Sequence, residues 1–195
     1  MHGLINRALQ RFTSDTYGTA FWGRVVESAG LGLTHFEPMM TYKPEITQQL
    51  IDALARGLKR PRATVLEDVG IYLVSHSGSD AVRRLLRFCG ASYEEFLFSL
   101  DELPDRARLA VADLDLPQLD LRQTGPDRFT LTCLSPHPGF GHVLVGILQA
   151  MADDYGALVT LAHHDGVAGR ERIDIALVVA SYAAGRQFDL GARTG

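Results

Sequence analysis

Near residue 110 the spacing of apolar residues changes from a three-to-four-residue period to alternation, and this limits the chain to a helical portion packed on a mixed portion. Before the change, Leu4, Ile5, Ala8, Leu9 and Phe12 mark a helix over 4–12. Phe21, Trp22, Val25 and Val26 mark a second over 18–28, which Gly30 stops. Residues 31–43 are rich in Pro, Gly and Thr and read as loop. The segment 45–58 is amphipathic, and Pro61 reads as the first residue of a helix carrying Val65, Leu66, Val69 and Leu73 on one face. Asp80 is expected to cap a helix running to Phe88 and ended by Gly90; Ser92 with Glu95 three residues later forms a capping box for the next.

After the change, 119–122 and 129–134 alternate around a Gly125-Pro126-Asp127 turn. A buried helix follows over 139–155, then strands over 158–162 and 173–180 joined by a polar loop, 163–172. The expectation is an α+β fold: a single domain over 1–195, with a helical lobe to about residue 110 and a lobe from about 111 holding a four-stranded antiparallel sheet with an inserted helix.

Charge and motifs exclude several functions. Net charge is −4, and the densest basic spots, Lys59-Arg60-Pro61-Arg62 and Arg83-Arg84 with Arg87, read as solvated surface rather than a nucleic-acid footprint. The longest apolar stretch, 143–152, is too short for a bilayer, and no secretory signal opens the sequence, so a soluble cytoplasmic protein is expected. Cys89 and Cys133 fit no zinc or redox spacing, and Cys89 reads as a buried thiol. No phosphate loop, nucleophile elbow or zinc-protease motif occurs, and Ser75-His76-Ser77 reads as a helix end and loop. The pairs Glu94-Glu95 and Asp153-Asp154 fall on solvent-facing positions by pattern, so no enzyme is expected. His163-His164-Asp165 has the composition of a metal cluster, but neighbours on a strand point apart, and it reads as hairpin loop with no metal.

Several short stretches share one register. They are Met1-His2-Gly3-Leu4-Ile5, Asp15-Thr16-Tyr17-Gly18, Leu100-Asp101 with Pro104, Pro117 thirteen residues beyond it, and Cys133-Leu134-Ser135-Pro136-His137. Together they resemble the heme nitric oxide/oxygen binding (H-NOX) domains over nearly the whole chain. The resemblance implies heme held between two lobes, with Ile5 on its distal side, Leu9 also against it and Pro117 pressing on the porphyrin. It implies nitric oxide sensing and a signalling partner in trans, a histidine kinase or a cyclic-nucleotide enzyme.

Two departures from the family pattern change the expected chemistry. Pro104 stands where the family keeps its iron-ligating histidine, and a proline ring has neither a lone pair for iron nor an N–H for a helix. Position 104 is four past Leu100, hence inward-facing, and the helix is expected to end or kink near Leu103. In the second motif the family's Tyr, Ser and Arg clamp the heme propionates. Spacing of two puts Cys133, Ser135 and His137 on one strand face, yet only the serine matches. His142 is the candidate for a substitute iron ligand reaching the porphyrin from the opposite side; the competing reading is a core histidine bonded to a backbone carbonyl.

A ligand-sized void of ~300–1,000 Å³ left dry costs ~7–24 kcal/mol, as much as a whole domain's stability. The site must therefore collapse, take up water or hold an apolar molecule. The expected function is a sensor-class module, heme-free or atypically liganded, with another tetrapyrrole or a fatty acid as alternative ligand.

Overall fold

A computed structural model describes residues 1–87, 90–167 and 169–180. The helices before the sheet are α1 (Gly3–Tyr17), α2 (Thr19–Ser28), α3 (Pro44–Leu58), α4 (Arg62–Ser75), α5 (Asp80–Arg87), α6 (Tyr93–Phe98) and α7 (Leu103–Ala110). Strands β1 (Gln118–Gly125) and β2 (Arg128–Leu134) follow, then α8 (Phe140–Tyr155), β3 (Leu158–His164) and β4 (Arg170–Val179). The expected end of a helix at Phe88 and the burial of Cys89 lie outside the described residues.

The sheet is antiparallel, in the order β1-β2-β4-β3. Period-two side chains build its buried face: Phe129, Leu131 and Cys133 from β2, and Glu171, Ile173, Ile175 and Leu177 from β4. The helix α8 packs on this face through Leu144, Leu148 and Met151 and meets α4 on its other side. Contact with α4 is backbone to backbone. A Cβ on Gly70 would lie 2.1 Å from the Val143 carbonyl oxygen, and one on Gly146 2.0 Å from that of Glu67.

Buried apolar residues form two clusters. One holds α1–α4, with Phe36 wholly buried beside Trp22, whose Nε1 donates to the Thr34 carbonyl at 2.9 Å and pins the loop between α2 and α3. The other joins the sheet and α8 to Val74, Leu86 and α6, so helices of the first half belong to the sheet-side core.

Pro104 does interrupt the helix, and the chain uses the interruption. A 3-10 turn over Leu100–Glu102 separates α6 from α7, and the proline sits in the first turn of α7, where no N–H is required. Ser92 Oγ accepts from the Glu95 N–H at 3.2 Å, while Glu95 reaches back to the Ala91 N–H at 2.6 Å, one residue short of a strict capping box. The proline at the start of α4 is likewise one residue outside: Pro61 is the cap, and the helix begins at Arg62.

Asp154 corrects a surface assignment. It is 1% exposed, and Arg83 donates to its two carboxylate oxygens at 2.7 and 2.9 Å. The strands also outrun the polar loop expected over 163–172, because β3 continues through His164 and β4 starts at Arg170. Among the described residues, no helix is long and apolar enough to cross a membrane.

Candidate functional site

Where the two clusters meet, the helices leave a cavity of about 510 Å³. Its walls come from α1 (Leu4, Ile5, Ala8, Leu9), α4 (Leu66, Val69, Leu73) and α5 (Val82, Leu85, Leu86). The segment before β1 adds Leu114, Leu116 and Pro117, and α8 adds Phe140, Val143, Leu144 and Ile147. Leu103, Pro104 and Ala107 close it from α7, all three buried.

Local chemistry holds these walls in place. Gly3 lets the start of α1 press on the loop at 37–40: its N–H donates to the Met40 carbonyl at 2.7 Å, and a Cβ there would stand 2.1 Å from the Glu37 carbonyl oxygen. His2 caps the same helix by accepting from the Leu4 N–H through Nδ1 at 3.2 Å. At the opposite wall, Asp101 Oδ1 accepts from the Leu121 N–H at 2.7 Å and ties the turn before α7 to β1.

Polar lining groups are few. Thr47 donates to buried Asn6 at 2.7 Å, Tyr72 donates to Asp15, and Gln48 accepts from Arg62, so each already has a partner. Among the described lining residues are two arginines, Arg7 and Arg11, and no carboxylate. Arg11 is exposed, which puts its charge at the solvent edge of an apolar space.

The residues singled out in the sequence separate into two groups. Ile5, Leu9, Pro104, Pro117 and His137 line the cavity. Cys133, Ser135 and His142 are not among its lining residues. The expected shared face of 133, 135 and 137 fails because β2 ends at Leu134, and Pro136 and Pro138 take the chain out of the sheet. Ser135 instead donates its N–H to the Gly169 carbonyl at 3.0 Å, and its Oγ accepts from the His137 N–H at 3.1 Å.

Cys133 is fully buried, paired in register with Glu171, and burial first and the Glu171 charge second push its thiol up to about 12. A thiol held protonated is a poor nucleophile. The Cys133 peptide is therefore expected to resist iodoacetamide at pH 8 in the native protein and to label once urea unfolds it, read by peptide mass mapping.

His142 does not face the cavity. Its Nδ1 lies 3.0 Å from Glu67 Oε1, and its ring stacks on His163. Neighbours on a helix differ by about 100° in direction, and here Val143 and Leu144 take the cavity side. Neither sequence reading of His142 is what the structure has, since its partner is a carboxylate.

The chain thus has an α+β fold with an apolar chamber between a helical cluster and a sheet-backed cluster. A sequence profile of the family described as Haem-NO-binding matches residues 2–163. The chain belongs to that family of heme- and gas-binding sensor domains and has the H-NOX fold. A crystal structure of Fe(II) unliganded H-NOX from K. algicida superposes with a TM-score of 0.80 at 15% identity, covering 94% of this chain and 100% of that one. An Fe(II)NO H-NOX from S. oneidensis gives 0.76 at 15% identity over 91% and 99%. The soluble guanylate cyclase gcy-32 of Caenorhabditis elegans is 25% identical over 155 residues, 78% of this chain. The chain spans 23% of that relative's length.

The family's heme can be tested against these side chains. The walls suit an apolar body. A heme iron here would find no donor on α7, because Leu103, Pro104 and Ala107 offer no lone pair. His137 is the one imidazole among the described lining residues. Its place is on the segment entering α8, outside α7. The site does not fit histidine-ligated heme of the family's kind.

Proposed function

We propose that this domain is a regulatory module whose cavity binds an apolar molecule with an acidic end, in place of histidine-ligated heme. The reading is carried by one observation: a cavity of about 510 Å³ is present where Pro104 fills the position on α7 that faces it. At ~24 cal/mol per Å³, leaving 510 Å³ dry costs about 12 kcal/mol, within the ~5–15 kcal/mol that holds a domain together. Water gains little in a space with so few free polar partners. An apolar occupant removes that cost, and Arg11 at the edge suits a carboxylate. Long-chain fatty acids and tetrapyrroles both have this chemistry. The signalling partner is a cyclic-nucleotide enzyme or a histidine kinase; the first of these is the kind of protein its worm relative is named for.

Native mass spectrometry of freshly purified protein, followed by titration with heme and with a fluorescent long-chain fatty acid, tests the reading. One ligand is expected to saturate at one per chain. Arg11→Glu is expected to weaken it about tenfold, the worth of one charge-assisted hydrogen bond at ~1.5 kcal/mol. An iron–histidine stretching band in the resonance Raman spectrum of the reduced, heme-titrated unaltered chain, or no binding of either probe, overturns it.

A further inference from the structure

Outside the cavity, where the first turn of α8 meets β3, His142 and His163 stack with ring centroids 3.9 Å apart and planes 32° from parallel. Each ring has one nitrogen committed to a carboxylate. His142 Nδ1 lies 3.0 Å from Glu67 Oε1, and His163 Nε2 lies 2.9 Å from Glu171 Oε2. A carboxylate accepts, so those nitrogens carry the protons and the lone pairs fall on His142 Nε2 and His163 Nδ1.

Asp165 completes the cluster. Its Oδ1 is 3.9 Å from His163 Nδ1, and one ligand atom from each of His142, His163 and Asp165 lies within 4.8 Å of the others. Nitrogen and oxygen ligands of one tetrahedral zinc, each ~2.0–2.2 Å from the metal, stand about 3.3–3.6 Å from one another. The three donors can share an ion once Asp165 swings inward and the stacked rings turn, because an imidazole lone pair lies in its ring plane. Asp165 is exposed and can make that swing. Glu171 cannot serve as a fourth ligand without loss, because its oxygens also accept from the Gly139 and Gly141 N–H groups at 3.0 Å each. Its place is behind His163, as Glu67 is behind His142: outer carboxylates that orient a ligating imidazole and raise its basicity.

We propose that His142, His163 and Asp165 bind one divalent transition-metal ion of the zinc class, with Glu67 and Glu171 orienting the imidazoles and water completing the coordination. Two imidazoles and a carboxylate select such an ion over calcium or magnesium, which take oxygen ligands. The ion would fasten the start of α8, a wall of the cavity, to the β3–β4 hairpin. The site stands whatever the cavity holds.

Zinc chloride titrated into chelator-stripped protein against a chromophoric competitor tests this, with no heme or fatty acid present. Binding at one ion per chain is expected. Asp165→Asn should weaken it at least tenfold and leave the metal-free unfolding midpoint unchanged. Glu67→Gln should weaken it ten- to a hundredfold, the range seen when an outer carboxylate is lost. His142→Ala should abolish it. The control is His164→Ala, because that ring pairs with Asp174 at 3.0 Å, and it should bind as the unaltered chain does. No saturable one-to-one binding, or equal affinity in the unaltered chain and Asp165→Asn, overturns the proposal. Should His142→Ala fail to fold, Asp165→Asn decides alone.

Discussion

Pro104→His is expected to turn this chain into a histidine-ligated heme protein. Reconstituted with heme and reduced, the variant should show an iron–histidine stretching band in its resonance Raman spectrum, whereas the unaltered chain and Pro104→Ala should not. The expectation follows from where residue 104 sits: buried, in the first turn of α7, and on the cavity wall. A histidine there starts from a backbone already aimed at the space. The cost in stability is small. Proline at a compatible first-turn position stabilises by ~0.4–1 kcal/mol through the unfolded chain, so its removal costs about that much. Pro104→Ala carries the same cost without the imidazole, which separates ligation from loosening. A variant with native circular dichroism and no iron–histidine band would mean that residue 104 does not look into a space able to hold heme.

This prediction rests on a feature legible in the sequence. The fold was readable because its two periods, helical before about residue 110 and alternating after it, are strong, and because proline is unambiguous about what it lacks. The interruption at Pro104 was readable for the same reason; that the proline would start α7 rather than end a helix was not, since a proline suits either side of a break. The border between lobes is different. The change of period marks where strands begin, but cores are divided by packing, and α6 and Leu86 bury themselves with the sheet.

At the level of sites the limits are sharper. His142 lies on a helix apolar on most sides, so periodicity could not say which side faces the cavity. In the sequence the apolar signal of β3 stops at Ala162. His163 continues the strand with a ring 10% exposed, made tolerable by a buried glutamate eight residues on. Glu171 itself gave no signal. A glutamate in a strand reads as surface, and only the fold shows its carboxylate accepting from Gly139, Gly141 and His163 together. Contacts between α8, β3 and β4 are tertiary, and a lone sequence carries no trace of them.

The same tertiary closeness makes Gly146→Ala the most damaging small substitution expected here. Alanine normally favours a helix interior over glycine by ~0.5–1 kcal/mol. At position 146 its Cβ would stand 2.0 Å from the Glu67 carbonyl oxygen and 2.9 Å from the Ile71 nitrogen, both of them backbone of α4. No rotamer relieves such a contact, so α4 and α8 must separate by about 1 Å, against interiors as dense as organic crystals. Val143 packs against both apolar clusters, so the separation opens the seam between them. Overpacking costs ~1–3 kcal/mol and more where backbone must move, which places the net loss near ~3 kcal/mol or beyond. For a chain of this size that lowers the thermal midpoint by roughly 6–12 °C. Gly23→Ala is the paired control: it sits within α2, and a Cβ there meets nothing within 4 Å. Its unfolding midpoint in urea should rise while that of Gly146→Ala falls. Equal midpoints for the two variants would mean that the α4–α8 crossing is looser than its glycines imply, and the cavity beside it less firmly walled.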